Sequence, residues 1–248
     1  MNFVSISDVH IKNDNDLSCN KFRQFLKHPK TLSADMVILI GDVFDFLVGG
    51  HSQYLQKFSS SINSIIELSK TKKIIYIEGN HDFHLEHLVV QMVRKGLNQK
   101  NFQLIKGHTI LNDQDKKIYI GHGDELEFDN YGHRLFKAAV GNKLMSKVAK
   151  YIPYRLLSKA GENASGASRR LNDYYYSEID AIKIKAKYHK YVHAISDKMQ
   201  VDMVICGHSH VQDYYESNNM IYANNGYVPK SSVFIAYDSG KIQFININ

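Results

Sequence analysis

Five short polar clusters carry side chains able to do metal chemistry: Asp8-Val9-His10, Gly41-Asp42, Gly79-Asn80-His81-Asp82, Gly121-His122-Gly123-Asp124 and Gly207-His208-Ser209-His210. Together they offer carboxylate oxygens, imidazole nitrogens and an amide oxygen, with no thiolate. A mixed O/N donor set of this kind suits Mn²⁺, Fe or Zn²⁺ better than Ca²⁺, which prefers an all-oxygen shell. Asp8 and His10 stand two residues apart, so they share a face in a strand and can converge on one ion at a strand end. His208 and His210 repeat that spacing. The glycines beside them permit close backbone approach where the chain bends out of the strand. One histidine after a strand is ordinarily structural; this combination in five successive clusters is not explained that way. His28, His51, His84, His87, His108 and His189 have no such context and default to surface or packing roles.

The elements that must position these clusters are legible as short apolar, β-branched runs. Residues 3–6, 36–40, 74–77, 118–120 and 203–205 each have strand length and are followed by Gly, Asp, Asn or His. Helix-like stretches over 17–28, 53–69 and 84–95 give a β-α-β rhythm, which predicts a layered α/β architecture. In such sheets ligands collect at the carboxyl ends of strands. After Glu127 the pattern becomes helical through Lys198, broken by Pro153 and the small, polar stretch 161–168. The expected division is a core of 1–127 and 199–248 with a helical cap insertion over 128–198. Runs near 214–215, 220–223, 232–237 and 242–247 read as closing strands, with turns near Asn218-Asn219 and Ser239-Gly240.

The 248 residues, 44% hydrophobic and 23% charged, suit one elaborated globular domain. The chain opens directly on the first strand-like run, with no charged segment leading into an apolar leader, which predicts a cytoplasmic protein. Two cysteines, Cys19 and Cys206, without metal-finger spacing fit a reducing compartment. No run approaches the roughly 20 apolar residues of a membrane-spanning helix, so any membrane contact is expected to be peripheral. The formal charge of +6 is uneven: 128–200 holds fourteen Lys or Arg against six Asp or Glu. That basic segment, interleaved with ten aromatics, predicts an anionic ligand or an anionic membrane surface there.

The ordered pattern D-x-H, G-D, G-N-H-D, G-H and G-H-x-H resembles that of the calcineurin-like metallophosphoesterases, over the chain to about residue 240 apart from the insertion. The resemblance implies an α/β fold, a layered metallophosphoesterase β-sandwich flanked by helices. It implies two divalent metal ions, Mn²⁺ first with Fe or Zn²⁺ as alternatives. One ion would be held by Asp8, His10, Asp42 and His210, the other by Asp42, Asn80, His122 and His208, with Asp42 shared. Such a pair catalyses hydrolysis at phosphorus. His81 would face the phosphoryl group as a catalytic residue, with Asp82 orienting its ring. For Asp124 two roles stand open: an acceptor behind His122, or a cap on the following helix.

Within that family the chain is similar to the UDP-2,3-diacylglucosamine diphosphatases of lipid A synthesis. The features are Gly121-His122-Gly123-Asp124-Glu125, an Asp129 and Tyr131 entry to helix, the basic stretch ending in Arg169-Arg170, and Asn224-Asn225-Gly226 after the last motif. The resemblance implies a nucleotide-diphospho-lipid substrate, water attack on its α-phosphate, and acyl chains in the cap. Asp129, Tyr131, Arg169 and Arg170 would contact that substrate, at the inner face of a membrane. The best-known branch of that subfamily carries Arg where this chain has His81, which instead matches the wider family. A phosphodiesterase or nuclease using the basic segment is the alternative enzyme, and a scaffold without metal the non-enzymatic one.

Overall fold

The computed structural model describes residues 1–129, 151–159, 161, 178–217 and 220–248. Tyr131, Arg169, Arg170 and most of the expected cap lie outside the described residues. In chain order the elements are β1 (Asn2–Ile6), α1 (Leu17–Lys27), α2 (Pro29–Ser33), β2 (Met36–Ile40), β3 (Leu47–Val48), α3 (Gln53–Lys57) and α4 (Ser59–Ser69). Next come β4 (Lys73–Ile77), β5 (Asp82–Phe83), α5 (Glu86–Arg94), β6 (Phe102–Ile105), β7 (His108–Asp113), β8 (Lys116–Gly121) and a 3₁₀ turn, Asp124–Leu126. The remaining elements are α6 (Glu178–Met199), β9 (Met203–Ile205), β10 (Asp213–Ser217), β11 (Met220–Asn224), α7 (Val228–Ser231), β12 (Val233–Asp238) and β13 (Lys241–Asn246).

Two sheets pack face to face. One has the order β13-β12-β1-β2-β4-β6 and the other β10-β11-β9-β8-β7. Alternation along each strand decides which side faces what. Ile38 and Ile40 of β2, Ile75 and Ile77 of β4, Ile118 and Ile120 of β8, and Met203 and Ile205 of β9 meet between the sheets. The intervening Val37, Leu39, Ile74 and Tyr76 face the helical layer of α1, α4 and α5. On the far side, Tyr119, Val204 and Tyr222 pack under Tyr188, Tyr191 and Val192 of α6. Each fully buried aliphatic side chain contributes about 1.5–3 kcal/mol of apolar transfer.

Two local features depart from the sequence reading. The single helix expected over 53–69 is two, α3 and α4, because Phe58 leaves helical geometry at φ −118°, ψ 30° to bury its ring between them. The edge strand β6 and strand β7 were not legible, since both are only half buried and interleave polar residues. Residues 178–198, part of the stretch expected as insertion, form the helix that covers the second sheet.

Strand direction sets the location of the site. β1, β2, β4 and β6 run parallel, as do β8, β9 and β11, so the loops leaving β1, β2, β4, β8, β9 and β11 can gather at carboxyl ends. The small parallel pair β3–β5, with Leu47 N donating to His81 O at 2.9 Å, lays the loop after β4 beside the loop after β2.

Candidate metal centre

Five of the seven expected donors sit in left-handed backbone: Asp8 (φ 55°), His10 (53°), Asp42 (52°), His208 (67°) and His210 (57°). That conformation costs a non-glycine residue roughly 1–2 kcal/mol. Here inter-loop bonds hold it. Asp8 N donates to Gly41 O at 3.3 Å, His10 N to Asp42 O at 3.0 Å, and Gly207 N to His122 O at 2.8 Å. The left-handed turns aim successive side chains back over the strand ends. Two glycines are steric requirements: a Cβ on Gly79 would collide with Asp42, and one on Gly207 with Asp8 and Ser7.

The seven side chains converge. On one flank His10 Nε2 lies 3.1 Å from His210 Nε2 and 3.7 Å from Asp42 Oδ2, and His210 Nε2 lies 3.3 Å from Asp8 Oδ1. Asp8, His10, Asp42 and His210 each bring a donor atom within 4.8 Å of the others. On the other flank His122 Nε2 is 3.4 Å from Asp42 Oδ2 and 3.0 Å from Asn80 Oδ1, with the His208 ring 5.2 Å from that of His122. Asp42 is the member common to both groups.

Tautomers test whether a cation fits. His122 Nδ1 lies 3.0 Å from Ile40 O, which can only accept, so the neutral ring carries its proton there. Its Nε2 lone pair then faces two further acceptors, Asp42 Oδ2 and Asn80 Oδ1. Three lone pairs aimed at one another repel unless a positive charge sits between them. His10 also turns Nε2 inward, with Nδ1 3.5 Å from Asp45 Oδ1 and no hydrogen bond formed there. The donor set therefore fits divalent cations, with the outer nitrogen of His122 fixed by a carbonyl acceptor.

Proton affinities agree with that picture. Burial opposes charge on Asp42, but His122 and His81 hold its carboxyl well below the usual range. Burial opposes charge on Asp8 too, and the hydrogen bond and charge of His210 outweigh it. Burial lowers His10, and burial with neighbouring His122 pushes His208 down to about 4. His122 goes the other way: burial would lower it, yet Asp42 holds it well above the ordinary imidazole value.

His81 borders the cage, with Nε2 4.0 Å from Asp42 Oδ2 and its ring edge-on to His10 at 5.0 Å. Asp82 does not orient it. Both Asp82 oxygens are engaged by the backbone N–H groups of Asp42 (2.9 Å), Val43 (2.7 Å), Phe44 (3.3 Å) and Gly79 (3.0 Å) and by Tyr76 O–H (2.6 Å). The ring is set instead by Asp45, whose backbone oxygen accepts from His81 Nδ1 at 2.8 Å. Asp124 is not the cap of the following turn, a position taken by Gly123 at φ 111°. Its buried carboxylate raises the proton affinity of His122 and His208 by its charge. Asp129 bonds to Tyr191 O–H and lies 3.6 Å from Lys187 Nζ, which ties it to α6.

Asp45 escaped sequence reading as a functional group, and Asn224 and Asn225 entered it only through the resemblance, without a role. For Asp45 the available signal was a second carboxylate one helical turn's spacing after Asp42. Asn224 and Asn225 are almost fully buried amides at the end of β11, and the signal was a polar pair directly following an apolar strand.

A family model described as calcineurin-like phosphoesterase matches residues 1–212. A UDP-2,3-diacylglucosamine hydrolase of Histophilus somni strain 129Pt is 25% identical over 213 residues, covering 86% of this chain and 85% of that protein. One from Psychromonas ingrahamii is 26% identical over 212 residues, covering 85% and 81%. Among solved structures, the Escherichia coli phosphoesterase YfcE aligns with a TM-score of 0.51 at 14% identity over 100% of this chain and 94% of that one, a likeness of fold.

Proposed function

The chain belongs to the calcineurin-like phosphoesterase family and is a metal-dependent phosphoester hydrolase, and from that premise we propose that it hydrolyses the diphosphate of UDP-2,3-diacylglucosamine. Water attacks the α-phosphorus and the bridging P–O bond breaks, so the products are UMP and 2,3-diacylglucosamine 1-phosphate. The observation that carries the chemistry is the sharing of Asp42 between two donor groups. The substrate class is supported by relatives named for that substrate that align over more than four fifths of the chain.

Asp8, His10, Asp42 and His210 would hold one ion, and Asp42, Asn80, His122 and His208 the other; we assign both as Mn²⁺. When bound, the pair supplies Lewis acidity toward the phosphoryl oxygens and makes a nucleophile available at neutral pH. His81 acts on the substrate side. With Nδ1 turned to Asp45 O, Nε2 is the nitrogen left for a phosphoryl oxygen or for the leaving oxygen. In this reading the segment 128–198 would accept the acyl chains, and Asp129, Tyr131, Arg169 and Arg170 would contact the substrate. The enzyme works in the cytoplasm, on the surface of an anionic membrane. Among the described residues no helix is long and apolar enough to cross a membrane.

Incubation with UDP-2,3-diacylglucosamine and Mn²⁺, followed by phosphorus NMR, tests the proposal. Equal amounts of UMP and sugar 1-phosphate are expected. An intact diphosphate alongside cleavage of simple phosphodiesters would reject the lipid substrate and favour the phosphodiesterase alternative.

A further inference from the structure

The segment that follows β11 touches two ligand loops at once. Asn224 Nδ2 donates to Gly207 O at 2.8 Å and to Ser209 Oγ at 3.0 Å, on the loop bearing His208 and His210. Asn225 Oδ1 accepts from Ser7 N at 3.0 Å and from Ser7 Oγ at 2.9 Å, and its Nδ2 donates to Ser7 O at 3.1 Å, just before Asp8. Two adjacent buried amides thus grip two different loops. The next residues continue the stitching: Tyr227 N donates to His210 O at 3.1 Å, and Val228 N to Asp8 O at 3.1 Å.

The Tyr227 side chain completes the contact. Its ring lies nearly parallel to His210, with centroids 5.0 Å apart and planes at 21°, and meets His10 edge-on at 5.6 Å. Those are the two rings whose Nε2 atoms stand 3.1 Å apart. An imidazole can swing about its outer torsion, and a small swing moves Nε2 away from a shared ion. A flat ring packed on one and abutting the other removes that freedom without engaging either Nε2.

We infer that Tyr227 is a positioning residue for one half of the metal centre, the half made of Asp8, His10, Asp42 and His210. Segment 224–227 is the clasp that closes it. The inference rests on the metal-site reading above and adds to it that the two ions are held by separable devices. Outer partners of this kind change metal affinity by roughly 10–100-fold when removed.

The test is Mn²⁺ titration of metal-stripped protein, read by binding calorimetry and by electron paramagnetic resonance of the coupled Mn²⁺ pair. Wild type should take up two ions. In Tyr227→Ala one ion should bind roughly tenfold or more weakly while the other is little changed, and the coupled signal should appear only at higher metal. Tyr227→Phe should behave as wild type, because the ring plane does the positioning. If Tyr227→Ala does not fold, Tyr227→Leu, which keeps bulk but no plane, carries the same expectation. Unchanged affinities, equal weakening of both ions, or a loss in Tyr227→Phe as large as in Tyr227→Ala would each overturn the clasp. Wild type binding fewer than two ions would overturn the metal centre itself and the clasp with it.

Discussion

In the proposed centre a proton and a metal ion compete for one lone pair of His122. Asp42 holds that imidazole well above its ordinary value, whereas His10 is lowered and His208 is pushed down to about 4. Asp42 thus favours a proton on His122, whereas burial disfavours one on His10 and on His208. Metal binding should expel that proton, so Mn²⁺ affinity should rise by about tenfold per pH unit through neutrality and fall on acidification. Calorimetry in two buffers of different ionisation enthalpy checks this, and a binding heat independent of buffer would refute it. His81 makes the opposite case, a residue bordering the cage but outside the donor set. His81→Ala should keep both ions by elemental analysis and lower kcat by about 10²–10⁴-fold. Full turnover in that variant would remove it from the mechanism.

The helices contribute to the site through a few long-range contacts. α1 starts at Asp16, whose carboxylate accepts from Cys19 N at 2.6 Å, and buries Cys19, Phe22, Phe25 and Leu26 against the first sheet. On the same helix Lys21 reaches across to α7, donating to Pro229 O at 2.8 Å, Ser232 Oγ at 2.6 Å and Val228 O at 3.3 Å. Burial lowers the proton affinity of this ammonium, and the three acceptors offset the cost of placing it there. Lys21 thereby fixes the element that follows the clasp. Lys21→Ala leaves these acceptors short of donors and should destabilise the fold by about 1–3 kcal/mol. For a chain of this size that is a fall in Tm of roughly 2–4 °C per kcal/mol, read from a thermal melt. An unchanged melt would mean that α7 is held by its backbone bonds alone.

Over the whole molecule, two sheets and their parallel strand ends bring seven candidate donors together around Asp42. Chelation should therefore cost stability: at a metal concentration a hundredfold above Kd each ion contributes about 2.7 kcal/mol. Removal of both by EDTA should lower Tm by about 10–20 °C, reversibly on return of Mn²⁺, and an EDTA-insensitive melt would argue against the centre. Much of this was legible in the chain, because strand periodicity and donor type are local properties. The runs at 36–40, 118–120 and 203–205 are continuous apolar stretches of strand length, and Gly41, Gly121 and Gly207 stand between them and Asp42, His122 and His208. The layered sheets could be read there, and the motif pattern named Asp8, His10, Asp42, Asn80, His122, His208 and His210 as candidate donors. What only the tertiary structure decided is which neighbours serve these groups: Asp45 rather than Asp82 behind His81, Ile40 O rather than Asp124 behind His122, Asn225 under Ser7, and Tyr227 against His210. Those pairings join residues as much as 218 positions apart. They depend on strand order and on left-handed turns at the strand ends, and spacing along the chain carries no record of either.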